Sequence, residues 1–334
     1  MKKTNLKIII LPCFLLFVFC LFVLWEAYVP AKPGSRDMIK YVAESGKGDE
    51  DIAWDLEKMG IIKNRYFFEA YVVLSFQHSK LQAGKYAFSP GMSVYEIIKK
   101  FVRGDIIKTK ITIIEGWDVN DVAKYFEEKE ICSKDDFINS AYQNYRDEFS
   151  FLSELPESVS LEGYLFPDTY EISEGEPPDN ILRNILANFE KKITSELREE
   201  ILFQKKSVFE IITMASIIEK EVRKMEDKKI VSGLLWKRLE TGMPLQVDAT
   251  VNYITGKNHR SALIADTKID SPYNTYKYKG LPLGPISNPG MDSILAAIYP
   301  TESKYWYYLS AVSGKTIFSE TLRKHNIARA KYLR

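Results

Sequence analysis

From Ile8 to Trp25 every residue is apolar except Pro12, and no other feature of the 334-residue chain restricts its fold so strongly. As a helix rising about 1.5 Å per residue, a run of about 18 nearly crosses a hydrocarbon core of about 30 Å. Lys2, Lys3 and Lys7 precede it and Glu26 follows, a charge order that keeps the N-terminus in the cytoplasm and sends the rest outside. The run exceeds a signal-peptide core of about 7–15 residues, and Trp25-Glu26-Ala27-Tyr28-Val29 offers no clear small-x-small cleavage site. The expectation is therefore a cytoplasmic tail over 1–7, a single transmembrane helix over 8–28 in the cytoplasmic (inner) membrane, and a linker over 29–37 set by Pro30, Pro33, Gly34 and Ser35.

The remaining length suits about two domains. With 46% hydrophobic and 27% charged residues it is no disordered chain. Forty-six basic against 45 acidic residues leave no positive field for nucleic acid. Cys13 and Cys20 lie in the apolar run, so Cys132 stands alone and no disulfide framework is expected. His78, His259 and His325 share no ligand spacing, so neither metal nor cofactor is expected.

Two stretches resemble each other at a separation of 70. Asp51-Ile52-Ala53, Leu56-Glu57-Lys58 and Ile61 match Asp121-Val122-Ala123, Phe126-Glu127-Glu128 and Ile131, and Phe67 matches Phe137. Each predicts an amphipathic helix, a short turn and a second helix start. Gly84 to Phe88 and Lys110 to Ile114 alternate as strands do, and Ser93-Val94-Tyr95-Glu96 is a capping box for a helix ending near Gly104. The fold class is α+β: a small α/β region over 38–104, then a larger α+β domain over 105–334 built round a buried helix.

That helix starts at another capping box, Ser207-Val208-Phe209-Glu210, and continues through Ile211 to Val222 apolar on nearly all sides. Glu219 lies on the face of Ile212, Ala215, Ser216 and Val222, and Glu221 on that of Met214, Ile217 and Met225. In apolar settings a carboxyl stays protonated and can donate, so a buried acid here is a catalytic candidate. The alternative is a solvated stripe neutralised by Lys220, Arg223 and Lys224. Downstream, Gln246, Asp248 and Tyr253 stand close in sequence, with Asp248 equally readable as a helix N-cap. Two loops set by Pro and Gly follow, carrying Asn274, Tyr276, Ser287 and Asn288. Amides, hydroxyls and phenols around an acid suit a neutral polyhydroxylated ligand such as a glycan.

Three motifs, Ala215-Ser216-Ile217-Ile218-Glu219-Lys220-Glu221, Glu162-Gly163-Tyr164-Leu165-Phe166-Pro167-Asp168-Thr169-Tyr170 and Gly280-Leu281-Pro282-Leu283-Gly284-Pro285-Ile286-Ser287-Asn288-Pro289-Gly290, make the chain resemble the endolytic murein transglycosylases of the MltG (YceG-like) family. The resemblance runs from the apolar segment to Gly314-Lys315-Thr316-Ile317-Phe318 and His325-Asn326. It implies a LysM-like region over 38–104 and a transglycosylase domain over 105–334. It also implies an activity: cleavage of the MurNAc-GlcNAc bond within nascent peptidoglycan, leaving 1,6-anhydro ends and terminating glycan elongation. Glu219 takes the position of the catalytic glutamate. Glycan strands, the cytoplasmic membrane and peptidoglycan synthases are the implied partners. Two departures are Leu283, where many members carry Pro, and Lys315-Thr316 in place of His-Thr, for which reason His325 is set aside.

A lytic transglycosylase needs one acid, because the muramyl C6 hydroxyl is the nucleophile. Candidate substrate-binding residues are Gln246, Asp248, Asn274, Tyr276, Ser287, Asn288 and Glu162. The rival readings are a hydrolytic muramidase pairing Glu219 with Asp248 or Glu162, and a non-enzymatic wall-binding scaffold.

Overall fold

The computed structural model describes residues 6–257, 262–311 and 313–332, without the side chains of 6–10 and 12. Most of the tail expected over 1–7, and His259, lie outside the described residues. The chain divides into two compact units: one of residues 1–110 with 171–175, the other of 111–170 with 176–334.

The first unit contains α1 (Leu6–Tyr28), β1 (Ile39–Ala43), α2 (Asp49–Lys58), α3 (Arg65–Leu74), β2 (Gly84–Phe88) and α4 (Val94–Arg103). β1 and β2 pair antiparallel from Ile39 opposite Phe88 to Ala43 opposite Gly84. Strand alternation turns Tyr41, Ala43, Tyr86 and Phe88 inward. There the Phe101 ring of α4 packs 4.6 Å from Tyr86 and 4.9 Å from Phe88. Ser93 and Glu96 close the capping box, and Gly104 ends α4 in the left-handed region at φ 61°.

The expected transmembrane helix is corrected. Among the described residues no helix is long and apolar enough to cross a membrane. The apolar segment does fold as α1, and its last turn packs against α4 rather than standing as a free apolar cylinder. Ala27 is buried, Tyr28 packs 5.6 Å from the Tyr95 ring of α4, and the Lys63 ammonium lies over the Trp25 ring.

The second unit opens with β3 (Lys108–Thr112), whose first residues belong to the first unit, then α5 (Val119–Glu128) and α6 (Lys134–Ala141). α5 and α6 repeat the helix pair α2 and α3. Phe137 is buried, but its counterpart in α3 is Phe68, not Phe67, because the connection before α3 is one residue longer. β4 (Thr169–Ser173) pairs with β3. Two helices follow, α7 (Pro178–Lys192) and α8 (Ser195–Phe203), separate because Thr194 caps the second.

At the centre is α9 (Val208–Glu221), with every residue from Ile211 to Ile218 buried. Packed round it are α10 (Met225–Glu240), α11 (Asp248–Thr255) and α12 (Met291–Ile298). The hairpin β5 (Tyr307–Ser310) with β6 (Thr316–Ser319) and the helix α13 (Leu322–Tyr332) complete the unit.

Candidate active site

The second unit holds an open cavity of about 870 Å³ lined by α9, α10, α11, β5, α13 and the loop before α11. That volume lies within the roughly 300–1,000 Å³ of small-molecule sites. Its acid is Glu221, the last residue of α9. The helix stops there because Val222 turns extended (φ −144°, ψ 150°), freeing the terminal carbonyls. The Ser310 hydroxyl donates to the Glu221 carbonyl at 3.2 Å, tying that end to β5. On the side chain, Tyr308 Oη donates to Glu221 Oε2 at 3.1 Å, and the Ala249 amide, in the first turn of α11, also donates. Protein flanks the carboxyl and the cavity opens to it. Burial pushes it up to about 7, and the Asp248 charge adds to the rise against the opposing bonds from Tyr308 and Ala249.

Beside Asp118 and Asp121, which also line the cavity, Asp248 is the carboxylate whose charge acts on Glu221. It is the first residue of α11 and not the N-cap, a position held by Val247, and its side chain makes no cap bond. Instead Asp248 Oδ1 accepts from Tyr276 Oη at 2.5 Å. Burial, ahead of Asp248, keeps the Tyr276 phenol well above its ordinary range, so it remains a donor. Gln246 is exposed to the cavity from a left-handed backbone at φ 51°, a conformation that costs a non-glycine residue about 1–2 kcal/mol.

Two residues earlier on α9, Glu219 is in different surroundings. It does not line the cavity but is buried with Lys228 of α10, their side chains 9% and 4% exposed. Lys228 Nζ donates to both carboxylate oxygens at 3.3 Å, and Ser293 Oγ and the Gly290 amide donate at 2.7 and 3.0 Å. The Glu115 carboxyl, raised by burial and then by the Glu219 charge, shares this nest. A Cβ at Gly290 would come within 2.0 Å of Glu115 Oε1, so a larger residue there would have to displace the Glu115 side chain from the nest. The pair joins α9, α10 and the start of α12, where the Gly290 amide is one of the orphan donors of that helix start.

The other expected ligands divide the same way. Gln246, Asp248 and Tyr276 meet in the cavity. Asn274, Ser287 and Asn288 are fully buried and spend their groups on backbone and, in Asn288, also on Glu162. Asn274 Nδ2 donates to the carbonyls of Thr267 and Ile269, and Ser287 Oγ donates to that of Ser216. Asn288 Oδ1 accepts from the amides of Gly163 and Leu165, while Nδ2 donates to Trp117 O and Glu162 Oε1. Glu162 is buried beside it, raised to about 8 by burial, and accepts from the Val119 amide at 3.0 Å and from Tyr253 Oη at 3.4 Å. Sequence reasoning missed Tyr308, Arg238, Arg329 and the place of His325. Only the spacing of Leu322, His325 and Arg329 on one helical face carried a signal.

The YceG-like family model matches residues 42–331. An endolytic murein transglycosylase of Bacillus subtilis is 35% identical over 320 residues, covering 91% of this chain and 87% of that protein. One from Streptococcus pneumoniae is 29% identical over 329 residues, covering 90% of this chain but 59% of the relative. A crystal structure of a yceG-like protein from Listeria monocytogenes superposes with a TM-score of 0.59 at 34% identity, covering 88% of this chain and all of that one.

Proposed function

Because the chain belongs to the YceG-like family, we propose that its second unit is an endolytic peptidoglycan lytic transglycosylase with Glu221 as the general acid and base. The observation that carries the reading is a carboxyl raised to about 7 by burial and open to a cavity large enough for several sugars. A general acid works best when its pKa lies near the working pH. Glu219 is already held by an ammonium, a hydroxyl and an amide and does not reach the cavity.

In the reaction, Glu221 protonates the bridging oxygen between MurNAc C1 and GlcNAc as the C1–O bond breaks. The ring passes through oxocarbenium character, which the negative charge of Asp248 stabilises. The Glu221 carboxylate then takes the proton of the muramyl C6 hydroxyl as O6 bonds to C1, closing the 1,6-anhydro ring and restoring the acid. No water enters the balance. Cleaving inside nascent strands ends their elongation, which sets the reaction outside the cytoplasm beside the peptidoglycan synthases. A C-terminal alkaline phosphatase fusion tests that placement: it is active if the unit is exported, and silence would refute it. The βααβ order of β1, α2, α3 and β2 supports a LysM-like wall-binding role for the first unit.

Asp248 supports a second reading. A carboxylate close enough to raise Glu221 could activate water instead, giving a hydrolytic muramidase. Mass spectrometry of peptidoglycan digested by the purified chain separates the two. Anhydro-muramyl ends on internal fragments are expected; reducing ends in their place would establish hydrolysis.

A further inference from the structure

We infer that the wall of the cavity formed by α10, β5 and α13 is a subsite for a carboxylate on the muramyl substituent, so that the enzyme selects strands whose 3-O-lactyl arms carry negative charge. The inference rests on the reading of the cavity as a glycan cleft.

A neutral sugar polymer needs no cation, yet this wall is cationic. Arg238 is 5% exposed, and its donors go to backbone carbonyls: Nε and Nη2 to Trp306 at 3.0 and 2.6 Å, Nη1 to Leu245 at 2.7 Å. No carboxylate is among those partners, so its charge is uncompensated there and burial lowers its pKa. A guanidinium kept in such a setting projects its field into the adjoining cavity, where the low-dielectric protein walls focus it.

Tyr307 stands between Arg238 and His325, whose imidazole is kept below its ordinary range, and so uncharged at neutral pH, by burial and by the charges of Arg329 and Arg238. Arg238 lies 5.2 Å from its ring and the His325 ring stacks on it at 5.3 Å. His325 Nδ1 is buried without a hydrogen-bond partner among the described residues, an open polar valence at the cavity wall. One turn on, Arg329 is exposed and lines the same cavity, near enough to Tyr276 to oppose its pKa rise. The spacing of His325 and Arg329 puts both on one face of α13. Positive charge thus stands at one wall while Glu221 and Asp248 hold the acids of the reaction.

In peptidoglycan the lactyl arm of MurNAc ends either in its own carboxylate, on stripped strands, or in an acidic stem peptide. Both present the same chemistry beside the bond to be cut. Arg329, exposed at the cavity, suits the outer contact, and Arg238 supplies fixed charge behind it.

The test uses the full chain carrying Glu221→Gln, which holds strands without cutting them, with and without Arg329→Gln. Binding is measured to uncrosslinked strands bearing stem peptides, to amidase-stripped strands, and to both after carbodiimide amidation of their carboxylates. Arg329→Gln is expected to weaken binding of charged strands by about 5–10-fold, and amidation to remove most of that difference. Loss on peptide-bearing strands alone identifies the stem peptide as the source; loss on stripped strands identifies the lactyl acid. Equal binding of charged and amidated strands by both proteins would overturn the inference. Cleavage by the chain with native Glu221 is scored separately: its absence refutes the proposed activity, whereas intact cleavage with no charge dependence refutes this subsite alone.

Discussion

Glu219 and Glu221 stand two residues apart on one helix and live in opposite regimes. Glu219 lies in a closed nest where every oxygen is matched by a donor and an ammonium balances its charge. Glu221 is open to a cavity, and among the described residues burial, the Asp248 charge and the bonds from Tyr308 and Ala249 act on it, with no cation beside them. A buried, compensated charge fixes geometry, whereas an uncompensated carboxyl keeps a proton that it can give away. The comparison teaches that burial alone does not mark an acid catalyst; the donors and charges around it decide.

The largest effect that tests this contrast is on turnover. Glu221→Gln keeps shape and hydrogen bonding but can neither give nor take the proton, so the rate should fall by about 10²-fold or more. Initial rates of anhydro-end release report it. A folded Glu221→Gln protein with near-native turnover would move the chemistry off the cavity.

Glu219→Gln should do the reverse. It removes the carboxylate paired with the buried Lys228 ammonium and leaves only Glu115 nearby to balance it, a loss that costs up to about 3–5 kcal/mol of stability. Whatever remains folded should still cut strands at a rate well above that of Glu221→Gln. Urea unfolding and turnover measured on the same preparations check both halves. A stable Glu219→Gln protein that has lost turnover would exchange the roles assigned to the two residues.

How far the sequence shows this division is visible in α9 itself. The capping box at Ser207, the apolar run and the separation of the two glutamates by about 200° round the helix all follow from local rules. Which face meets the cavity does not, because both faces are apolar and the cavity walls come from α11, β5 and α13, far along the chain. The same limit governs Asn274, Ser287 and Asn288. Polar residues in Pro- and Gly-set loops read as ligands, yet a buried loop must first satisfy its own backbone, and these side chains do so. The helix-pair repeat was readable for the opposite reason: α2 with α3 and α5 with α6 are set by short-range periodicity.

A smaller effect is on stability against pH. Glu221 binds its proton more tightly in the folded chain, up to about 7, than an ordinary carboxyl near 4.5. Its folded form therefore loses stability as pH rises from about 4.5 to about 7 and stays lower beyond, by on the order of 3 kcal/mol. Glu221→Gln removes that loss, so the variant should be the more stable protein at pH 8 and nearly equal to the native chain at pH 4. Melting temperatures across that range read the difference, and a variant that is less stable at pH 8 would show that the carboxyl is not held against its charge.

The smallest effect isolates one hydrogen bond. Tyr308 Oη donates to Glu221 Oε2 at 3.1 Å and, by favouring the carboxylate, opposes the rise caused by burial and Asp248. Tyr308→Phe removes the donor and leaves the ring, so Glu221 should hold its proton to higher pH. One such bond is worth about 1 kcal/mol, so the alkaline limb of kcat/KM should move up by somewhat less than one pH unit. The same substitution made beside Glu219 has no equivalent, since that carboxylate is held by four donor contacts. If Tyr308 also touches the sugar, kcat falls while the limb still moves upward. A limb that stays in place or moves down would mean that the proton lost at high pH is not the one on Glu221.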